Sequence, residues 1–346
     1  MAETAVPRRE ITTLADINRL GTAFCGAKAV LSAIELGLFT ELSAGPATEA
    51  ELCERLGLHP RAVPDFLSTL AALGLLDVKD DHYASTPAAA RFLDRTSPSY
   101  GGGFLERANH MMYPAWENLT GLLRTGEPQV AGREDQAAAF ERMMGDPDHL
   151  DRFLRMMDAV SGPLGPELAA KFDWANYTTV VDIGGARGNL LAHILNAHEH
   201  LSGYVFDLRG IESAFGTHME ALGLRDRARF VSGDFFKDAL PQSDVLIIGH
   251  VLHDWSPAER AQLIRKAFGA LQPGGALLIY DQLTGQGHGG DPWNEIISLN
   301  MQLLSPGGSE YTLTECRTWL RDAGFQSIST FTLGEHDTCV VALKDR

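Results

Sequence analysis

The sequence is short of positive charge. Its 346 residues carry 29 Lys and Arg against 45 Asp and Glu, a formal net charge of −16. Nucleic-acid binding rests on neutralising phosphates with Lys and Arg, so this balance argues against that class, and equally against an anionic membrane surface. Cysteine is scarce: Cys25, Cys53, Cys316 and Cys339. No two lie closer than about twenty residues, which removes a CxxC metal pair and a disulfide framework and leaves reduced thiols. No apolar run reaches the ~18 residues that a membrane span needs. Met1 to Glu10 lacks the apolar centre of a secretory signal, so the expected compartment is the cytoplasm. What the chain does have is 45% hydrophobic residues, a globular composition. Its length suits about two domains at roughly 150 residues each.

The first hundred residues read as helical. From Thr13 to Leu42 apolar residues fall at Leu14, Ile17, Leu20, Phe24, Ala27, Val30, Leu31, Ile34 and Leu38, close to a helical period. Thr48 opens a capping box with Glu51, and Gly57 closes that short helix. A second helix follows Pro60 and runs to about Leu73, where Gly74 breaks it. Leu75–Val78 and His82–Ala84 then form a hairpin around Lys79, Asp80 and Asp81. Helix, turn, helix, hairpin is a winged-helix pattern. From Thr48 to Asp81 the acids Glu49, Glu51, Glu54, Asp65, Asp77, Asp80 and Asp81 outnumber Arg55, Arg61 and Lys79. A recognition helix with that charge repels DNA, so dimerisation is the expected role. A helical stretch follows to about Ala170. It holds six of the nine methionines as the doublets Met111-Met112, Met143-Met144 and Met156-Met157, with Trp116, Phe140 and Phe153. Methionine adapts its shape, which suits a helix core or an apolar ligand pocket.

The second half alternates. Strands read at Thr179–Ile183, Gly203–Asp207, Arg229–Gly233, Val245–Gly249 and Ala276–Asp281, and helices at Leu190–Asn196, Glu212–Leu222, Pro257–Leu271 and Leu313–Asp322. Two last strands, Ser327–Leu333 and Cys339–Leu343, flank a turn at Gly334 to Asp337. The expected class is α/β: a Rossmann-like doubly wound sheet with a terminal antiparallel hairpin, preceded by a helical winged-helix module. The expected domains are a dimerisation module over 1–100, a helical segment over 101–170 that contributes to a substrate pocket, and a ligand-binding domain over 171–346.

Val180 to Asn189, VVDIGGARGN, carries the sharpest signal. An apolar strand ends in an acid and a glycine turn, where backbone can approach a ligand closely. A nicotinamide fingerprint needs Gly-x-Gly-x-x-Gly, but Gly184 and Gly185 are adjacent and Ala186 fills the second glycine's slot. Asp182 suits a cationic ligand better than a pyrophosphate. Asp207, 19 residues past Gly188, stands where an acid grips ribose hydroxyls. Asp234 beside Phe235 suits an adenine amino group and ring face. Three acids at three successive strand ends describe a pocket for S-adenosylmethionine, with Trp255 near it. Farther on, Ser256, Pro257 and Glu259 form a helix start, which leaves His253, Asp254 and Trp255 in a loop over the ligand crevice. A histidine there is a general-base candidate.

With these motifs the chain resembles the plant-and-bacterial small-molecule O-methyltransferases, a class I S-adenosylmethionine-dependent family. The resemblance rests on VVDIGGARGN, FDL, GDFF, LHDWS, LQPGGALLIYD, SPGGSEYT and DAGF, and it covers nearly the whole chain. It implies an intertwined homodimer through the N-terminal module. It also implies that His253 takes the substrate's proton, that Glu310 orients it, and that Asp281 is a second acid. Three departures point to a bacterial natural-product branch. Asp281 stands where Glu is frequent, Arg187 replaces a small residue in the glycine turn, and Tyr311 replaces the usual arginine. Trp116, Met157, Asp254, Asn300 and Met301 are candidate acceptor contacts, with Trp293, Asn294 and Ile297 as further walls, for an aromatic and mostly apolar small molecule. No metal is expected. The alternatives are a metal-assisted C-methyltransferase using His250, His253 and Asp254, a relative that has lost methylation, and a winged-helix regulator with a ligand-sensing domain.

Overall fold

The computed structural model describes residues 10–130, 136–285 and 290–346, and the reading of Met1 to Glu10 falls almost wholly outside them. The chain divides into two compact units, Met1–Pro114 and Ala115–Arg346. Among the described residues no single helix is long and apolar enough to cross a membrane.

In the first unit the helical run is broken into Leu14–Gly21, Ala23–Glu35 and Leu38–Glu41, not continuous from Thr13 to Leu42. Thr22 returns its hydroxyl to the Asn18 carbonyl at 2.8 Å, competing with the backbone ladder, and Gly37 takes φ +72, which ends a helix. The capping box forms as expected: Glu51 Oε2 accepts from the Thr48 amide at 2.8 Å. The wing comprises β1 (Ala47–Thr48), β2 (Leu76–Lys79) and β3 (His82–Ser85), in the order β1-β3-β2. Its turn places Asp80 and Asp81 at positive φ, the backbone of a tight hairpin that Asp tolerates. The two-residue β1 is too short for a sequence pattern to reveal.

The second unit centres on seven strands: β4 (Thr179–Ile183), β5 (Ser202–Asp207), β6 (Ala228–Ser232), β7 (Ser243–Gly249), β8 (Leu271–Asp281), β9 (Ser327–Leu333) and β10 (Asp337–Leu343). Their order is β6-β5-β4-β7-β8-β10-β9. β4 to β8 run parallel, and β10 pairs antiparallel with both β8 and β9. Successive residues feed opposite cores. Val180, Val205, Val245 and Ile247 pack on one face, and Val181, Ile183, Leu246 and Ile248 on the other. Burial on both faces is why these strands read as continuous apolar runs. The order reverses between β4 and β7, and a crevice at the carboxyl ends of such a pair is where doubly wound sheets bind ligands.

Two elements differ from the sequence reading. β8 starts at Leu271, five residues early, and a helix missing from that reading spans Pro292–Leu304. Asp291 caps it, accepting from the Trp293 amide at 2.8 Å. Its buried face includes Asn294 and Asn300, which interrupt the apolar stripe.

Candidate active site

The glycine turn follows β4. Gly184 takes φ +72, and a Cβ there would lie 2.7 Å from a Val251 methyl. At Gly185 a Cβ would lie 2.6 Å from the Asp182 carboxyl carbon, so only glycine lets the turn close over this acid. Gly188 caps the helix Asn189–Ala197 in the left-handed conformation. Ala186 also takes positive φ, at 48°, and this aims its amide at Asp207 Oδ2, 2.9 Å away. Asp207 ends β5 and also accepts from the Leu208 amide at 2.6 Å.

Asp182 and Asp207 are both held out of water. Burial first, then the nearby Asp207 charge, pushes Asp182 up to about 7, and no hydrogen bond from the described residues opposes the shift. Burial pushes Asp207 up to about 6, against the pull of its two amides. Among the described residues neither carboxylate has an ion-pair partner, so two close buried acids form a site that a positive ligand relieves. The residues therefore fit the sulfonium and ammonium of S-adenosylmethionine.

Asp234 lies two residues past the end of β6 and is partly committed within the protein. Its Oδ1 accepts from the Phe236 amide at 2.8 Å, and its Oδ2 pairs with Lys237 at 2.9 Å. Burial pushes its pKa up, but Lys237 and that amide outweigh it and hold the group below the usual value. Beside it Phe235 and Phe236 stand edge-on to Trp255, with centroids 5.7 and 4.6 Å from it. Asp234, Phe235 and Trp255 thus share one wall.

The second half of the site lies after β7. His253 sits in a short helical turn, Leu252–Asp254, ahead of the helix Pro257–Ala270, which Ser256 and Glu259 cap reciprocally. Glu310 Oε1 accepts from His253 Nδ1 at 2.7 Å, and Asp281 Oδ1 lies 3.4 Å from the same nitrogen. The shorter acid therefore comes within ion-pair distance of the histidine without hydrogen-bonding it. Burial pushes the His253 pKa down, but the Glu310 and Asp281 charges outweigh it and hold it up to about 10. Burial raises Asp281, which accepts from the Tyr311 hydroxyl through Oδ2 at 2.5 Å.

Arg260, fully buried, staples these loops together. It donates to the Leu252 carbonyl at 2.9 Å and to the Ser309 carbonyl at 2.6 Å, with its guanidinium over the Tyr311 ring. The Ser309 amide in turn donates to the His253 carbonyl at 2.9 Å. Neither Arg260 nor Tyr311 was among the candidate site residues. Arg260 reaches Ser309 across 49 residues and Tyr311 reaches Asp281 across 30, beyond any local pattern.

His250, His253 and Asp281 each offer a ligand atom within 4.8 Å of the others, a different trio from the one with Asp254. His253 Nδ1 is already engaged by Glu310, and His250 Nε2 lies 3.1 Å from Asp337 Oδ1. Each imidazole therefore has a carboxylate of its own.

Of the candidate acceptor contacts, Trp116 and Asn300 meet directly, Nε1 donating to Oδ1 at 3.1 Å. Met301 is buried one residue on, in the same helix. Asp254 is tied to that helix's end through its backbone carbonyl, which accepts from Ser305 Oγ at 2.9 Å. Met157 lies half-buried on the helix Pro147–Lys171, in a cluster with Leu154, Phe153, Ala186 and Ile211. That cluster sets it beside the glycine turn.

Two family models match the chain: one described as an O-methyltransferase domain, over residues 116–326, and one as an O-methyltransferase dimerisation domain, over residues 19–95. The chain is 44% identical over 341 residues to the tetracenomycin polyketide synthesis 8-O-methyl transferase TcmO of Streptomyces glaucescens, spanning 98% of this chain and 99% of that one. It is 36% identical over 329 residues to the N,N-dimethyltransferase OxyT of Streptomyces rimosus, spanning 93% and 94%. Among solved structures, PigF with SAH superposes with a TM-score of 0.87 at 25% identity, over 96% of this chain and all of that one.

Proposed function

Because the chain belongs to the O-methyltransferase family, we propose that this S-adenosylmethionine-dependent O-methyltransferase methylates a hydroxyl of an aromatic small molecule, with His253 as general base. The observation that carries the reading is the 2.7 Å contact between His253 Nδ1 and Glu310, with Asp281 at 3.4 Å, at the carboxyl ends of the sheet. When bound, the cofactor supplies an electrophilic methyl group on a sulfonium. Asp182, Gly184, Gly185, Gly188 and Asp207 hold it through charge and backbone, and Asp234, Phe235 and Trp255 form its ring-binding wall.

The acceptor needs its proton removed. A phenol has a pKa near 10, so it is a poor nucleophile at pH 7. With both carboxylates on the Nδ1 side, Nε2 is the ring nitrogen that receives the proton. Glu310 fixes the tautomer and, with Asp281, stabilises the imidazolium, as a carboxylate does in hydrolase triads. Glu310 and Asp281 raise the basicity of His253, so its neutral imidazole is a strong acceptor for the phenol's proton.

The likeness to TcmO supports a polyketide or phenolic intermediate as acceptor and a place in bacterial secondary metabolism, including antibiotic biosynthesis. Residues of the helical stretch 115–170, Trp116 and Met157 among them, together with Asp254, Asn300 and Met301, form the acceptor's surroundings. The dimerisation-domain match supports a homodimer built through the N-terminal module. The charge of −16 opposes nucleic-acid and anionic-membrane partners, and the proposed compartment is the cytoplasm.

The test is His253→Ala. Binding of S-adenosylmethionine, measured by calorimetry, should persist while turnover of a phenolic acceptor drops by about 10²-fold or more. An unchanged rate overturns the base assignment. Turnover abolished by a chelator and restored by iron overturns the metal-free mechanism.

A further inference from the structure

Arg187 is the one departure in the glycine turn that the proposed chemistry does not use. It places a fixed positive charge in the loop that receives a positively charged ligand. Its immediate neighbours explain how that charge is tolerated. Its guanidinium Nη2 is ion-paired with Asp158 Oδ2, on the helix Pro147–Lys171. Both side chains are largely shielded, 26% and 20% exposed. Screening by solvent is therefore weaker than at an open surface. The pair sits in a built contact: Asn189 Nδ2 donates to Ser161 Oγ at 3.0 Å and to the Asp158 carbonyl at 3.4 Å, and Leu154 packs with Ala186. Among the described residues Arg187 Nε is buried without a hydrogen-bond partner and Asp158 is the guanidinium's ion-pair partner. Nearby His193 and His218 are both pushed toward their neutral forms, chiefly by burial, and add no second anion or lasting cation.

We infer that Asp158 is a specificity-determining residue: by neutralising Arg187 it lets the glycine turn keep its preference for the sulfonium form of the cofactor over the neutral thioether product. Without the Asp158 carboxylate, Arg187 opposes the field of Asp182 and Asp207. That field is what distinguishes S-adenosylmethionine from S-adenosylhomocysteine, since the two differ by one charge and one methyl group. A simple mechanical latch between helix and turn would affect both ligands alike.

The inference rests on the cofactor assignment above. The experiment is calorimetric titration of the full-length protein with S-adenosylmethionine and, separately, with S-adenosylhomocysteine, for wild type, Asp158→Asn, Arg187→Gln and the double variant. Asn keeps a hydrogen-bonding partner for the guanidinium and removes only the charge. Asp158→Asn is expected to weaken S-adenosylmethionine by about fivefold relative to S-adenosylhomocysteine, the scale of one partly screened charge. Arg187→Gln is expected to leave the ratio at the wild-type value or move it toward S-adenosylmethionine, and the double variant to restore it. Equal weakening of both ligands by Asp158→Asn, or a double variant that fails to restore the ratio, overturns the inference. Should Asp158→Asn not fold, a shift of the ratio toward S-adenosylhomocysteine in Arg187→Gln overturns it. Wild-type protein that binds neither ligand overturns the cofactor assignment as well.

Discussion

His253 Nδ1 and Glu310 Oε1 meet at 2.7 Å across 57 residues of sequence. The contact ties the loop after β7 to the loop that follows the helix Pro292–Leu304. Because burial opposes the charged imidazole and Glu310 is the foremost group sustaining it, the pair sets both ring orientation and proton affinity. Glu310→Gln is expected to lower kcat by on the order of 10²-fold while leaving S-adenosylmethionine affinity unchanged. The pH profile separates this from a packing defect. In the wild type, histidine and phenol together must shed one proton, so kcat/KM for the acceptor should rise with pH from 7 toward the His253 value of about 10. In Glu310→Gln the imidazolium is less stabilised, so the rise begins at lower pH and reaches a lower plateau. A profile of unchanged position would show that Glu310 does not tune His253.

Tyr311→Phe removes the hydroxyl that donates to Asp281 at 2.5 Å in a fully buried setting. The orphaned acceptor is expected to lower stability by about 1–3 kcal/mol. The loss should depend on pH. Asp281 is raised by burial, so its folded form favours the proton, and stability falls as pH rises from the unfolded carboxyl value through the folded one. Tyr311 works against that rise, so the variant extends the loss to higher pH. Thermal unfolding should therefore separate wild type and variant more at pH 8 than at pH 5. An equal separation at both would sink this account.

Much of this arrangement was legible in the sequence, for physical reasons. The parallel strands are buried on both faces, so each wrote an unbroken apolar run, and the capping boxes at Thr48 and Ser256 are complete within four residues. Asp182, Asp207 and His253 are fixed by their place at strand ends, which topology supplies. What stayed hidden depends on distant partners. The helix Pro292–Leu304 buries Asn294 because Nδ2 reaches the carbonyls of Leu283 and His336, and nothing nearby in sequence announces them. Arg260 is buried because two carbonyls and the rings of Tyr311 and Trp319 receive it. The ion pair of Arg187 with Asp158 likewise spans 29 residues, joining a turn to a helix whose polar positions look like ordinary surface.

Asp182 should make cofactor binding depend on pH. Its folded value of about 7 means that near neutrality the empty site holds the proton about half the time. A cationic ligand favours the ionised form, so S-adenosylmethionine should bind more tightly as pH rises from about 6.5 to 8, by at most tenfold per unit for one proton released. Asp207, at about 6, is already mostly ionised in that window. Asp182→Asn is expected to flatten the dependence and to weaken binding mainly at the upper end. Calorimetry at the two pH values would refute the assignment if the variant retained the wild-type slope.

Among the described residues, the helix Leu14–Gly21 has no buried member. Leu14, Ile17 and Leu20, with Phe24 just beyond, remain 72, 56, 68 and 55% exposed, although their spacing places them along one stripe. A stripe of that kind, within reach of the dimerisation-domain match that begins at residue 19, is what a second copy would cover. Fully burying one such side chain is worth roughly 1.5–3 kcal/mol, so Ile17→Asp with Leu20→Asp should weaken association by a hundredfold or more, about 3–6 kcal/mol. Because these side chains are more than half exposed, the variant should keep wild-type circular dichroism while light scattering shifts from two chains per particle to one. A variant still dimeric at micromolar concentration would place the contact elsewhere on the module. A wild type that is monomeric would remove the dimer itself.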